Sequence, residues 1–553
     1  MNASFWGRDA KSVESWMDQC TKQSLLKRIW DRDPSVWKRD PAEQGEIVAR
    51  LGWLDAVSKM KKESAGLKAF SEEIRSEGIT EVVLLGMGGS SLAPEVFQKV
   101  CGNRAGFPKL TVLDSTDPAR VKDVESSVDL SKTLFIVSSK SGGTVELVSF
   151  LKYFYQKLKT LFPENPGNRF IAITDPGSPL EESAKKQGFR KVFLGYPDVG
   201  GRFSALTPFG LLPAALIGVD IEKVLASAEK MMRRCAAEVP PHQNEAMALG
   251  VGMAVLAESG RDKLTLLSSA ALAPFGDWAE QLVAESTGKE ESGVVPVVGE
   301  PLETVEHYGE DRFFVALFPD FTEKKELNEK FSELKEAGHP GLAFNLPAPE
   351  DLGGEFFRWE MATAVASSLL KINAFDQPDV QAAKDRTKAL LKRLEAGQEL
   401  SVPESSGSLE TFWETLKTGD YVAILAFLPD RSPVRSALSK LQADIRRSTK
   451  AAVTLGFGPR YLHSTGQLHK GGPDHGTFIL LTADPESDLP IPGEKYSFGQ
   501  LELAQALGDL EALRSKGRRV FHLRLKNISG SELEKAFDQV KSALMTSLGD
   551  EVS

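Results

Sequence analysis

The chain has 553 residues, 41% hydrophobic and 26% charged, the balance of a globular protein with material for roughly two to four domains. Its 67 basic and 77 acidic residues leave a net charge of −10, which argues against a general nucleic-acid or anionic-membrane partner but not against an anionic small ligand at a locally positive site. Cys20, Cys101 and Cys235 are too widely spaced for a metal site or a disulfide framework, no basic-then-apolar leader opens the chain, and no run of about 18 apolar residues occurs. A cytoplasmic protein without a membrane span is therefore expected.

Residues 1–75 read as a helical, amphipathic segment, clearest at SLLKRIWDRDPSVW (24–37). From about residue 79 the rhythm changes. Short apolar runs alternate with helical patterns in EVVLLGMGG, KLTVLDSTDP, TLFIVSSKSGG, RFIAITDPGSP and KVFLGYPDVGGR. Continuous Val/Ile/Leu runs suit strands covered on both faces, so residues 76–235 are expected to form a doubly wound parallel sheet with flanking helices. Residues 236–395 repeat the rhythm more weakly, through the helix pattern NEAMALGVGMAVLAESG, the strands KLTLLSSA, RFFVALFPD and GLAFNLPAP, and the helix pattern GEFFRWEMATAVASSLLKI. The Ser/Pro/Gly-rich AGQELSVPESSGS (396–408) reads as a linker, and residues 409–553 as a C-terminal α/β domain with strands YVAILAFLP, AAVTLGFG, TFILLTA and RRVFHLRL. The fold class is α/β: two doubly wound parallel-sheet subdomains, a helical N-terminal segment and a C-terminal α/β domain.

Open parallel sheets bind ligands beyond the carboxyl ends of their strands. Two loops so placed suit a phosphate, Gly86–Ser91 (GMGGSS) and Ser138–Thr144 (SSKSGGT). Glycines admit an anion to backbone N–H groups, while Ser139, Ser141 and Thr144 add hydroxyl donors ahead of a helix N-terminus. Neither loop has the ATP P-loop spacing, and Ser91 stands where a dinucleotide fingerprint needs its third glycine. One such loop reads equally well as a tight turn; two on nearby strands favour the cradle. Further along, GGRFS aims Arg202 from a glycine turn, and DWAEQLVAESTGKE places Gln281 and Glu285 one helical turn apart. Alone, each of these charged residues would ordinarily be solvated surface.

Taken together, GMGGSSLAP, SSKSGGTVE, GGRFS, EQLVAESTGK and INAFDQPDVQAAK resemble the glucose-6-phosphate isomerase family in order and separation, over roughly residues 75–390. That family is built from sugar-isomerase (SIS) subdomains. The segments KRIWDRDPSVW, TLGFGPRYLHSTGQLHKGGPDHGTF and YSFGQLELAQALGDLEAL resemble the isomerase half of bifunctional transaldolase/glucose-6-phosphate isomerases, although none of the 553 residues is left over for a transaldolase barrel.

The resemblance implies an aldose–ketose isomerase that opens the sugar ring and moves a proton between C2 and C1 through a cis-enediol, with no cofactor and no metal. It implies Glu285 as the base, Arg202 as the charge that stabilises the enediolate, and Gln281 as a substrate contact. Ser139, Ser141 and Thr144 would hold the phosphate, with Gly89 and Ser90 near the sugar. Ring opening falls to a lysine, Lys384 at the end of FDQPDVQAAK, and to a histidine. In related short isomerases an LHSxGQ motif precedes the lysine; here LHSTGQ follows it, at Leu462–Gln467, which makes His463 the candidate. His307 lies nearer the usual distance from Glu285 but lacks the motif. The roles of Lys140, His469 and His475 stay open, and the spacing of the last two with His463 does not suit zinc. The family is usually a homodimer whose histidine comes from the neighbouring subunit, so the displaced motif either preserves that exchange or makes each chain self-sufficient. Two alternatives stand beside this reading: an isomerase of another phosphosugar such as mannose 6-phosphate, and a non-catalytic sugar-phosphate regulator. The joint presence of Glu285, Arg202 and Lys384 speaks against the second.

Overall fold

A computed structural model describes residues 5–321, 325–402 and 407–549. The expected linker Ala396–Ser408 thus lies partly outside the described residues. Four helices open the chain, Ala10–Lys22, Leu25–Trp30, Pro41–Val48 and Trp53–Ser76. The third starts where Asp40 caps it by accepting from Ala42 N and Glu43 N, ahead of a proline whose missing N–H would be unpaired anyway.

The first sheet contains β1 (Glu81–Gly86), β2 (Lys109–Leu113), β3 (Thr133–Ser138), β4 (Phe170–Thr174) and β5 (Lys191–Leu194), in the order β2-β1-β3-β4-β5. The second contains β6 (Lys263–Ser268), β7 (Val295–Val297), β8 (Arg312–Pro319) and β9 (Gly341–Leu346), ordered β7-β6-β8-β9. The third contains β10 (Tyr421–Phe427), β11 (Ala452–Phe457), β12 (Gly476–Ala483) and β13 (Arg519–Leu525), ordered β11-β10-β12-β13. Every pairing is parallel. The second and third sheets share one strand order, which is also that of the first four strands of the first sheet. The C-terminal block is therefore a third doubly wound unit.

The strands are apolar throughout because both faces are covered. In β1, Val82 and Leu84 enter a core shared with the N-terminal helices, the second sheet and the helices Pro208–Leu216, Glu245–Glu258 and Leu352–Leu369. Val83 and Leu85 point the other way, into a core shared with the third unit. That second core joins helix Val145–Leu161 to helix Phe498–Ser515, where Phe150 stacks on Phe498 with centroids 6.0 Å apart. The third unit is tied to the second by a buried triad, with Arg312 and Arg446 both 3.0 Å from Glu300. No helix among the described residues is long and apolar enough to cross a membrane.

Candidate active site

The strand order of the first sheet reverses between β1 and β3, and Gly86 pairs with Ser138 there. The loops Gly86–Ser91 and Ser138–Thr144 therefore leave the sheet side by side, where the polarity of an open sheet gathers ligand groups. The glycines in the first loop serve close approach. A Cβ on Gly89 would run into the Gly201 carbonyl, and one on Gly88, which has φ +53°, would lie 2.9 Å from both Gln281 Nε2 and the His463 carbonyl. The loop is thus the point where three other chain segments converge.

In the second loop Ser139 Oγ accepts from Gly142 N at 3.0 Å. Helix Val145–Leu161 starts from Thr144, whose side chain makes no capping bond among the described residues, which leaves its hydroxyl available to an anion at the helix N-terminus. Lys140 turns away from that helix: its Nζ donates to Asp175 Oδ1 (2.7 Å) and the Tyr196 carbonyl (3.1 Å).

A cleft of about 610 Å³ opens over these loops, lined by Gly89, Ser90, Ser139, Ser141, Arg202, Gln281 and Glu285 among others. Arg202 is 4% exposed and fully braced. It donates through Nε to Ser286 Oγ (2.8 Å), through Nη1 to Gln377 Oε1 (3.0 Å) and through Nη2 to the Ala374 and Asp376 carbonyls (2.6 and 2.9 Å). Its Nη1 stands 3.4 Å from Glu285 Oε1. Glu285 and Gln281 sit on helix Ala273–Thr287, where Gln281 Nε2 donates to Glu285 Oε2 (3.1 Å) and to the His463 carbonyl (2.7 Å). Gln281 Oε1 is buried with no partner among the described residues. Lys289, from the same ESTGK run, is buried against Asp376 Oδ1 at 2.6 Å; desolvation and the charge of Arg202 push its ammonium down to about 7.

Thr144, Lys384 and His463 line a second cavity of about 230 Å³ that shares Ser141 with the first. His463 ends the turn Arg460–His463 that follows β11, and its Nε2 lies 2.9 Å from Glu146 Oε1. Burial works against the ionised form of Glu146, but the charge and hydrogen bond of His463, with Lys384 nearby, hold its carboxyl below the usual range. The histidine arrives from the same chain, held by its motif. Gln467 donates to the Gly288 carbonyl (3.0 Å) and Asp379 Oδ2 (2.8 Å), while Asp379 N donates back to Gln467 Oε1 (2.9 Å). Ser464 donates to Glu280 (3.1 Å), and Arg460 gathers Glu95 (2.5 Å), Asp114 (3.1 Å) and Asp277 (3.4 Å) around one guanidinium. Those carboxylates come from the first and second units, so the LHSTGQ segment is pinned to both.

The structure thus brings all ten sequence-derived site residues to two adjoining cavities. His307 lies apart, on the turn Val305–His307, 2.9 Å from Thr304 Oγ1. His469 is buried among Tyr421, Tyr461 and Phe478, and desolvation holds it far below the usual imidazole range. His475 is half exposed beside Asp262. Among the described residues no three His, Cys, Asp or Glu side chains converge closely enough for a metal ion. Sequence reasoning missed Glu146, although it ends the SSKSGGTVE motif, and also missed Arg50, which the N-terminal helices bring to the cleft wall. Arg50 Nη1 donates to the Pro197 carbonyl, and the adjacent Leu51 bridges Val199 just before the Gly200–Arg202 turn.

Residues 41–298 match the family model described as phosphoglucose isomerase. The chain is 32% identical over 412 residues to a glucose-6-phosphate isomerase of Carboxydothermus hydrogenoformans, covering 64% of this chain and 87% of that one. It is 32% identical over 422 residues to a glucose-6-phosphate isomerase of a Synechococcus strain, covering 68% and 77%. Among solved structures, a hypothetical protein from Thermus thermophilus aligns with TM-score 0.61 at 25% identity, over 70% of this chain and 99% of that one. A Chlamydia trachomatis glucose-6-phosphate isomerase shares the fold with TM-score 0.56 at 18% identity, over 70% and 86%.

Proposed function

The chain belongs to the glucose-6-phosphate isomerase family, and from that premise we propose that its paired cavities interconvert glucose 6-phosphate and fructose 6-phosphate with Glu285 moving the proton. The observation that carries this reading is the junction of a carboxylate and a braced arginine, 3.4 Å apart, at the end of a Ser/Thr- and glycine-rich cradle. A phosphate dianion seats against Ser139, Ser141 and Thr144 and the N-terminus of helix Val145–Leu161, leaving the sugar to extend toward Glu285.

The cyclic substrate opens first. A proton reaches the ring oxygen as one leaves the C1 hydroxyl, the C1–O5 bond breaks, and a free aldehyde forms. His463 and Lys384, which line one cavity with Glu146, are the acid and base for this step. Glu285 then takes the C2 proton. The charge that develops on O1 meets Arg202, whose other hydrogen bonds hold it in place, so no reorganisation is needed as the charge appears. The same carboxylic acid returns the proton to C1, a proton passes from O2 to O1, and the ketose closes. Protons balance, and no oxidant or reductant enters. His463 lines this cavity within one chain, which supports a reading in which each chain supplies its own ring-opening histidine.

The test is Glu285→Gln, which keeps size and hydrogen bonding and removes the base. Isomerisation and the exchange of the substrate C2 proton with solvent should both fall at least about a hundredfold, with phosphosugar affinity nearly unchanged. Near-normal exchange in that variant would remove Glu285 from the mechanism.

A further inference from the structure

Building on that reading of His463, we infer that Gln505, from the third unit, is a positioning residue for ring opening: its amide holds the carboxylate that holds the histidine. Gln505 Nε2 donates to Glu146 Oε1 at 2.7 Å, the same oxygen that lies 2.9 Å from His463 Nε2. The other end of the amide is fixed as well, since Gln505 Oε1 accepts from Thr116 Oγ1 at 2.7 Å. All three partners are buried, Gln505 at 2%, Thr116 at 0% and Glu146 at 4% exposure. Reversing the amide would turn its oxygen toward a carboxylate, so Glu146 itself selects the orientation observed.

This chain of contacts has a chemical consequence. A histidine that donates Nε2–H to a carboxylate is held in one tautomer, with Nδ1 as the nitrogen free to exchange a proton with substrate. How strongly the carboxylate pulls on the imidazole depends on how much of its charge is already satisfied. Gln505 satisfies part of it, because its amide shares Glu146 Oε1 with His463 Nε2. The same device reaches the lysine. Helix Phe498–Ser515, which carries Gln505, packs closely on helix Val380–Glu395, which carries Lys384; a Cβ on Gly508 would lie 2.6 Å from Thr387 Oγ1. Gln505 and Lys384 line the same cavity. One helix of the third unit thereby touches both the carboxylate that holds His463 and the helix that carries Lys384.

The experiment compares the full chain with Gln505→Met, which keeps volume and loses the hydrogen bond, Gln505→Glu, which puts a second carboxylate beside Glu146, and Thr116→Val, which frees the far end of the amide. The His463 ring is followed by carbon-13 NMR titration, and kcat and KM for glucose 6-phosphate are measured across pH. The expected result is a His463 titration midpoint raised in Gln505→Met and raised further, by about one unit or more, in Gln505→Glu. The acid limb of kcat should move the same way, kcat at neutral pH should fall about tenfold, and KM should hold, because Gln505 does not touch the phosphate cradle. Thr116→Val should show the same pattern more weakly, which keeps the inference testable if Gln505→Met does not fold. Unchanged His463 titration in the folded variants would overturn the inference. A raised titration with unchanged kcat would leave the hydrogen-bond chain standing but remove His463 from ring opening, and with it any part for Gln505 in that step.

Discussion

Gly88 and Gly89 show what single residues decide here. One needs a left-handed φ, the other sits against the Gly201 carbonyl, and any side chain would push the cradle off Gln281 and the His463 backbone. This much was legible in GMGGSS as a demand for close approach, but what approaches was not, because Gly201 and His463 come from distant parts of the sequence. Electrostatics at the same junction are open to a direct test through Glu280, which accepts from Ser464 next to His463. Partial burial, and then the neighbouring Asp277, push its carboxyl up to about 8. The folded state therefore retains a proton that the unfolded chain releases near the ordinary carboxylate range. Any stability tied to this group is fullest at low pH and is lost as pH climbs toward 8. The melting temperature should fall between about pH 5 and pH 8 in the parent protein and fall less in Glu280→Gln. Parallel declines would show that Glu280 is not the titrating group.

At the scale of elements, β1 and β3 were legible because they are continuous apolar runs that end in turn residues, and their loops were legible because Ser, Thr and Gly cluster at the strand ends. The strand β7 was not. It is three residues long and contains a proline, so neither length nor alternation marks it. The cradle loop carries its own prediction. Ser141→Ala with Thr144→Ala removes two hydroxyl donors while leaving the sheet and the start of helix Val145–Leu161 in place. Charge-assisted hydrogen bonds contribute about 1.5–3 kcal/mol each, so fructose 6-phosphate affinity should fall at least about tenfold, measured by calorimetry. Inorganic phosphate should compete in the parent and poorly in the double variant. Equal competition in both would move the phosphate elsewhere.

At the scale of the molecule, the third unit repeats the strand order of the second and brings His463 and Gln505 to the wall of the second cavity. The LHSTGQ motif was legible, and the resemblance implied that His463 reaches the site; the side chains that hold it there were not legible. Contacts such as Glu146 with His463 and with Gln505 join residues 317 and 359 positions apart, and no local pattern encodes such a meeting. Gln505 lies in the segment YSFGQLELAQALGDLEAL that shares in the resemblance, but only the folded chain gives it a partner. The most direct measurement of the whole account is therefore on His463→Ala, made with two ligands. Glucose 6-phosphate must be opened before its proton moves. Erythrose 4-phosphate, whose C4 oxygen is esterified, stays open and needs only the cradle and the Glu285 end of the cleft. Turnover of glucose 6-phosphate should fall about a hundredfold or more, erythrose 4-phosphate should bind within about twofold of the parent, and His307→Ala should leave both nearly unchanged. Glucose 6-phosphate turnover that survives in His463→Ala but collapses in His307→Ala would contradict the account.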